Sequence, residues 1–224
     1  MLPEQGVFIV ADGMGGHAAG EVAREMAVQT IARGLRGVVG KSETDATQMM
    51  TRAIVEANGA IFRRTVDEPE KRGMGTTATA MLVNGPRYIV GQVGDSRAYV
   101  LRDGQLEQVT KDHSYVQEQV DAGYLTPEQA RTHPYSNVIT RCVGANADVI
   151  PDIYVGSLCG RDVFLLASDG LTGMLEDHEL LSILNPDTAP AVLVDVMIAE
   201  ANRRGGLDNI TVIVVRIDKV GESD

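Results

Sequence analysis

The sequence has very little cysteine, few aromatic residues and no tryptophan. Its 224 residues include only two cysteines, three phenylalanines and six tyrosines. Two cysteines, Cys142 and Cys159, do not make the disulfide framework of a small secreted protein, so we expect a reducing, cytoplasmic location. No apolar run approaches the ~20 residues that span a bilayer, and the first residues lack the layout of a signal peptide. We therefore expect no membrane partner.

Positive charge is also scarce. Lys and Arg total 20 against 31 Asp and Glu, which gives a formal net charge of -11. Nucleic-acid binding needs clustered Lys and Arg, so this balance argues against it. It says less about phosphate carried by proteins, because a bound cation reverses the local field. The length suffices for a sizeable core, and we predict a single domain over 1–224.

The hydrophobic pattern predicts an α+β fold. Helical periodicity covers residues 18–36, 45–65 and 188–204. Short turns such as Asn84-Gly85-Pro86 and Asp103-Gly104 separate consecutive apolar runs, which indicates antiparallel hairpins. Two sheets between layers of helices would accommodate this order. The predicted strands are 7–11, 76–83, 87–93, 97–102, 105–109, 150–155, 162–167 and 209–217.

Aspartates stand at the margins of several apolar strands. Taken singly, such an aspartate is typical of a turn, because its side chain caps backbone N–H groups. Asp12, Asp169 and Asp208 together are less ordinary, since three carboxylates brought to one sheet edge repel each other unless cations lie among them. Oxygen ligands favour Mg²⁺ or Mn²⁺ over zinc. The spacing alone leaves both interpretations open, turn-forming residues and a hard-metal site.

Six motifs in a fixed order carry a resemblance. They are VADGMGGH (10–17), GTTATAMLV (75–83), VGDSRAYVLRDGQL (93–106), DHS (112–114), LLASDGL (165–171) and DNITVIVV (208–215). Over residues 7 to 217 the chain resembles the metal-dependent PP2C-type (PPM) protein phosphatases in their bacterial form. The resemblance implies a four-layer α-β-β-α sandwich of two antiparallel sheets flanked by helices. It also implies hydrolysis of phosphoserine and phosphothreonine with two Mn²⁺ or Mg²⁺ ions, and phosphorylated proteins, a Ser/Thr kinase or its targets, as partners.

The resemblance assigns metal ligands position by position. Asp12 would bridge both metals, and Gly13 would bind one of them through its carbonyl oxygen. Asp169 and Asp208 would hold the second metal. Asp112 would join Asp169 at a third, weaker metal position. A metal-bound water would attack the phosphate, so no protein nucleophile is expected.

Other roles are less defined by the resemblance. Asp95 and Asn209 are interpreted as structural or supporting residues. Residues 113–141 would form a flap beside the site. The general acid is unassigned, and His17, His133 and a metal-bound water are the candidates.

The family's N-terminal motif, Arg-x-x-Asn-Glu-Asp, is expected before strand 7–11 and does not occur there. Glu4 is the one acid among the six residues preceding Val7. The sequence therefore predicts that one or two N-terminal strands, a phosphate-contacting Arg and a metal ligand are missing, by truncation, a late start or natural variation. The missing strands would expose a sheet edge, which predicts lower stability or association. This leaves a second reading, a catalytically weak or inactive module that binds phosphoproteins or a regulatory partner.

Overall fold

The computed structural model describes residues 2–220, apart from the side chain of His17. The strands in this part of the chain are β1 (Val7–Val10), β2 (Gly13–Met14), β3 (Gly75–Thr76), β4 (Ala78–Asn84), β5 (Arg87–Val93), β6 (Arg97–Arg102), β7 (Gln105–Gln108), β8 (Asp152–Ser157), β9 (Val163–Ala167) and β10 (Val212–Arg216). The helices are α1 (His17–Gly34), α2 (Glu43–Asp67), α3 (Tyr115–Asp121), α4 (Pro127–Arg131), α5 (Asp169–Thr172), α6 (Asp177–Ile183) and α7 (Pro190–Arg203).

The strands form two four-stranded antiparallel sheets and one short pair. The first sheet has the order β1-β4-β5-β8, the second has the order β10-β9-β6-β7, and β2 pairs with β3. Tight turns produce this arrangement: Asp103 and Gly104 both have positive φ between β6 and β7, as an Asp-Gly hairpin turn requires. The predicted antiparallel hairpins are therefore confirmed.

Three apolar clusters bind the layers together. Helices α1 and α2 cover the outer face of the first sheet, where Ile31, Met50 and Ile54 are fully buried. The second cluster packs α7 on the second sheet, and the third, around Phe164, fills the space between the sheets. Central strands are consequently buried on both faces and have nearly continuous apolar sequences. The predicted α-β-β-α sandwich is confirmed.

Some local features differ from the sequence expectation. The three long helices and eight strands occur within a few residues of their predicted bounds. The four short helices α3 to α6 were not predicted, because a helix of one or two turns carries too little periodicity to be read. Strand β1 lies at an edge of its sheet, and Leu2 bridges to Val7 across a turn. No helix in residues 2–220 is both long enough and apolar enough to cross a membrane.

Candidate metal centre

Asp12 is held in place by its backbone immediately after β1. Its N–H donates to Thr77 Oγ1 at 2.9 Å, and its carbonyl oxygen accepts from the Thr77 N–H at 2.8 Å and from Thr76 Oγ1 at 2.9 Å. The hydroxyls of Thr77 and Ser96 lie 2.7 Å apart. The backbone of Asp12 is therefore tied to β3 and, through Thr77, to the turn before β6.

Gly13 allows helix α1 to approach the end of β1. A Cβ on Gly13 would lie 2.0 Å from the carbonyl oxygen of Gly20, and a Cβ on Gly20 would lie 2.8 Å from the Gly13 carbonyl group. Both distances exclude any side chain. Gly13 and Gly20 therefore form a close backbone contact that brings the start of α1 beside Asp12.

Asp169 and Asp208 reach the same place from the second sheet. Asp169 follows β9 and is the first residue of α5. Ser168 ties this turn to the loop before β10, since its hydroxyl donates to the Asn209 carbonyl at 3.2 Å and accepts from the Thr211 N–H at 3.0 Å. The Asn209 N–H donates to Asp208 Oδ1 at 2.7 Å. The supporting role of Asn209 stays a prediction.

The carboxyl group of Asp169 lies close enough to Asp12 to raise the pKa of Asp12. Burial raises the pKa of Asp12 most, and the hydrogen bond with Asp169 and the negative charges of Asp169 and Asp208 raise it further. Asp169 Oδ1 is buried and has no hydrogen-bond partner among the described residues. Buried carboxylates this close share a proton unless a cation takes its place. The orphaned oxygen and the crowded negative charge therefore fit hard divalent cations.

The described carboxylates do not form a closed metal site by themselves. In residues 2–220, no group of three or more His, Cys, Asp or Glu side chains is placed so that it could hold a metal ion. Mg²⁺ is commonly bound by one or two carboxylates and keeps several waters. An open cluster of acids beside a cleft is consistent with that mode of binding.

Asp95 and Asp112 have different surroundings from those that the sequence indicated. Both Asp112 oxygens are engaged by Arg97, at 2.8 to 3.0 Å, and Gln108 Nε2 donates to Oδ1 at 3.1 Å. Asp95 instead faces Asp169, and burial together with the charges of Asp169 and Asp112 raises the pKa of Asp95 to about 7. The role of Asp112 as a metal ligand stays a prediction, and Asp95 is the carboxyl group less committed to protein partners.

His113 connects this acidic cluster to the first sheet. Its Nδ1 accepts from the Gly94 N–H at 3.1 Å, and its Nε2 lies 3.2 Å from Asp152 Oδ2. Arg141 donates to Asp152 Oδ1 at 2.9 Å. Burial is the largest cause of the lowered pKa of His113. Local sequence patterns do not indicate this connection, because it joins residues far apart in the chain.

A cleft of about 690 Å³ opens beside the carboxylates. Residues of the 113–141 segment, including Val116 and Arg131, line one wall, and Asp95, Asp169 and Asp208 line the other. Two backbone links close the segment at its base: the Tyr115 N–H donates to the Val138 carbonyl, and the Thr140 N–H donates to the His113 carbonyl, both at 2.8 Å. This geometry agrees with a flap beside the site.

The two histidines considered as general acids have different outcomes. The side chain of His17 lies outside the described residues. His133 packs against Tyr115 and Tyr135, with ring centroids 5.9 and 5.6 Å away, and its Nδ1 accepts from the Tyr135 N–H at 3.1 Å. It is not among the residues that line the cleft. The structure therefore offers no support for His133 as a proton donor to a substrate there.

The two antiparallel sheets and their helices define an α+β protein. Acids from both sheets meet beside its cleft, and their chemistry suits hard divalent cations. The sequence profile of the family Protein phosphatase 2C matches residues 2–197. The chain belongs to this family.

Named relatives and solved structures agree with the family match. The serine/threonine phosphatase stp of Listeria monocytogenes serotype 4b is 38% identical over 215 residues, covering 96% of this chain and 85% of the relative. The Mycobacterium tuberculosis serine/threonine phosphatase PstP/Ppp superposes with a TM-score of 0.89 at 38% identity, covering 95% and 88% of the two chains. A structure of the PstP catalytic domain in complex with two manganese ions superposes with a TM-score of 0.82 at 36% identity, covering 95% and 88%.

Proposed function

We propose that this chain is a protein serine/threonine phosphatase that hydrolyses phosphoserine and phosphothreonine with the help of Mn²⁺ or Mg²⁺. The observation that carries the proposal is the meeting of Asp12 and Asp169, with Asp169 Oδ1 buried and without a protein partner. Family membership, the named relatives and the manganese-containing PstP structure support it.

The residues at the centre suit two or three cations. We assign Asp12 and the Gly13 carbonyl to one cation, and Asp12, Asp169 and Asp208 to a second. Asp169 with Asp95 or Asp112 would serve a third; the charge around Asp95 favours it over the ion-paired Asp112. When bound, such ions neutralise phosphoryl oxygens and lower the pKa of water so that hydroxide is available at neutral pH.

The chain's own residues prepare this centre before substrate arrives. Thr76 and Thr77 fix the backbone of Asp12, and Ser168 fixes the loop that carries Asp208. A rigid centre matters because small displacements of positioned groups cost large factors in rate. The flap forms the opposite wall of the cleft and gives a phosphorylated peptide segment a surface to lie on.

The proposed function also indicates substrates and a cellular location. Phosphorylated proteins are the substrates that the function requires, and a Ser/Thr kinase or its targets are proposed as the particular ones. We also propose a cytoplasmic location. Both Cys142 and Cys159 are free thiols, which agrees with a reducing compartment.

The test is phosphate release from a phosphothreonine peptide by the purified chain, with Mn²⁺ and with EDTA. We expect turnover with Mn²⁺ that EDTA abolishes and that falls at least ~100-fold in Asp208→Ala, because that variant removes a carboxylate from the metal centre. Asp187→Asn is the control, since Asp187 lies on the surface and pairs with exposed Arg161.

The second reading, a binding module, makes the opposite prediction. It requires tight binding of the phosphothreonine peptide with no phosphate release at any Mn²⁺ concentration. That result would overturn the proposed activity.

A further inference from the structure

A second hollow of about 370 Å³ lies beside Asp12 and has none of the residues of the 113–141 segment in its lining. The residues that line it include Asp12, Gly13, Gly20, Glu21, Arg24 and Asp208. Asp208 lines both this hollow and the larger cleft. The carboxylate centre therefore stands between two openings, one walled by the flap and the other by helix α1.

The helical geometry of α1 directs Arg24 into this hollow. Gly20 and Arg24 are four residues apart in α1, so they lie on the same face of the helix. Gly20 carries no side chain and contacts the Gly13 backbone directly. Arg24 is consequently the next residue on this face with a long side chain. Helical side chains slope toward the N-terminus, which points Arg24 back toward Asp12, one turn, ~5.4 Å, beyond Gly20.

The charge of the hollow makes Arg24 distinctive. Three of its lining residues are acids, namely Asp12, Glu21 and Asp208, and Arg24 is the one Lys or Arg among the described lining residues. A phosphate dianion entering here meets the metal-binding carboxylates on one side. The phosphate therefore needs a fixed positive charge on the opposite side of the hollow, besides any bound cation.

Arg24 is available to take up such a contact. Among residues 2–220 its one ion pair is with Glu21, where Nη2 and Oε1 lie 3.8 Å apart and the two side chains are 41% and 71% exposed. Such a surface pair contributes little. In the larger cleft, by contrast, Arg97 is committed to Asp112 and Tyr99. A guanidinium group binds phosphate with two parallel N–H donors.

From this placement we infer that Arg24 binds the phosphoryl group of the substrate, donating N–H groups to its non-bridging oxygens. The inference rests on the proposed phosphatase function and adds the protein side of its phosphate site. The competing base is Arg131, which is exposed on the flap and lines the larger cleft. We favour Arg24 because α1 packs backbone to backbone on the Asp12–Gly13 turn. A side chain on a rigid helix is positioned more precisely than one on an exposed segment such as 113–141.

The experiment compares Arg24→Ala, Arg24→Lys and Arg131→Ala with the unaltered chain. Two quantities are measured with Mn²⁺ present: KM and kcat on a phosphothreonine peptide, and the Kd of the same peptide carrying a non-hydrolysable phosphonate. For Arg24→Ala we expect KM and Kd to rise ~10-fold or more, as for loss of a charge-assisted hydrogen bond. Arg24→Lys should recover part of the loss. Binding of the unphosphorylated peptide should not change.

Arg33→Ala is the matched control on the same helix, because Arg33 faces Glu56 on α2 across the protein surface. It should leave KM, kcat and Kd unchanged, and thermal melting should show that every variant is folded.

The outcomes separate this inference from the proposed function. Turnover by the unaltered chain with unchanged KM and Kd in Arg24→Ala overturns the role of Arg24 and leaves the phosphatase activity standing. A loss confined to Arg131→Ala likewise overturns it and moves the phosphate contact to the flap. If the unaltered chain shows no turnover, the proposed activity fails, and the phosphonate Kd of Arg24→Ala still decides the inference: a rise supports it and no change overturns it.

Discussion

Asp169 lies close enough to Asp12 to raise the pKa of Asp12, although the two residues follow strands of two different sheets. Asp12 stands two residues after the end of β1 in the first sheet, and Asp169 stands two residues after the end of β9 in the second. The sandwich therefore gathers negative charge where its two sheets meet at one end. Holding like charges together costs free energy that bound cations offset.

Without metal, the stability of the protein should fall as pH rises from about 4 to about 8. The pKa of Asp12 is raised above its ordinary value of 3.8, so the folded protein keeps a proton that the unfolded chain releases. This contribution is complete below the unfolded pKa and is lost as pH rises through the folded pKa. Asp95, with its pKa raised to about 7, acts in the same direction. Thermal unfolding in EDTA at several pH values measures the trend.

The variant Asp12→Asn should weaken that trend. It removes the charge that Asp169 opposes, so the metal-free variant should melt higher than the unaltered chain at pH 8, by ~2–4 °C for each kcal/mol gained. Its Mn²⁺-dependent turnover should nevertheless be lost. If the variant melts lower at pH 8 and keeps the full pH dependence, the negative charge of Asp12 does not destabilise the metal-free protein.

Arg97→Ala should destabilise the protein by ~3–5 kcal/mol, because it leaves a buried carboxylate without its partner. The Asp112 side chain is 8% exposed and accepts two N–H groups of Arg97. Denaturant unfolding measures the change in the free energy of unfolding. Adding Asp112→Asn to Arg97→Ala should recover much of the loss, since the unpaired charge is then gone. A single-variant loss below ~1 kcal/mol would mean that solvent already screens the pair.

Gly20→Ala should disturb the metal centre although Gly20 is not assigned as a ligand. Its Cβ would lie 2.8 Å from the Gly13 carbonyl group, so α1 must move away from the Asp12–Gly13 turn. We expect a lower free energy of unfolding and a fall in turnover. Gly59→Ala in α2 is the matched control, because its Cβ would meet only the flexible end of Arg63, at 3.3 Å. That change should be neutral or stabilise by ~0.5–1 kcal/mol; equal losses in both variants would contradict the packing argument.

Much of this architecture could be predicted from local patterns. Asp-Gly turns and alternating apolar runs specify antiparallel hairpins, and long helical periodicity marks α1, α2 and α7. The order of the six motifs predicted the family, which the comparisons confirm. Local patterns also place Asp12 and Asp169 shortly after buried strands and Asp208 shortly before one, so all three could be predicted at a sheet margin.

What the sequence could not supply depends on pairing between distant residues. In the sequence, Asp95 and Asp112 both look like aspartates in turns. Only the folded chain shows that Arg97 pairs with Asp112, whereas Asp95 lies near Asp169. His133 is a candidate acid in the sequence, and only the folded chain shows that it packs on Tyr115 and Tyr135 and is not among the residues that line the cleft. No local pattern marks Arg24, because its placement depends on the contact between Gly20 and Gly13.

The central claim is that Asp12, Asp169 and Asp208 hold divalent cations, and calorimetric titration of the metal-free protein with Mn²⁺ tests it most directly. We predict binding of at least two Mn²⁺ ions, with proton release at pH 6 to 7 as the shared proton leaves the Asp12–Asp169 pair. Asp12→Asn should lose most of this binding, whereas Asp187→Asn should keep it. Absence of Mn²⁺ binding, or identical binding by Asp12→Asn and the unaltered chain, would contradict the account.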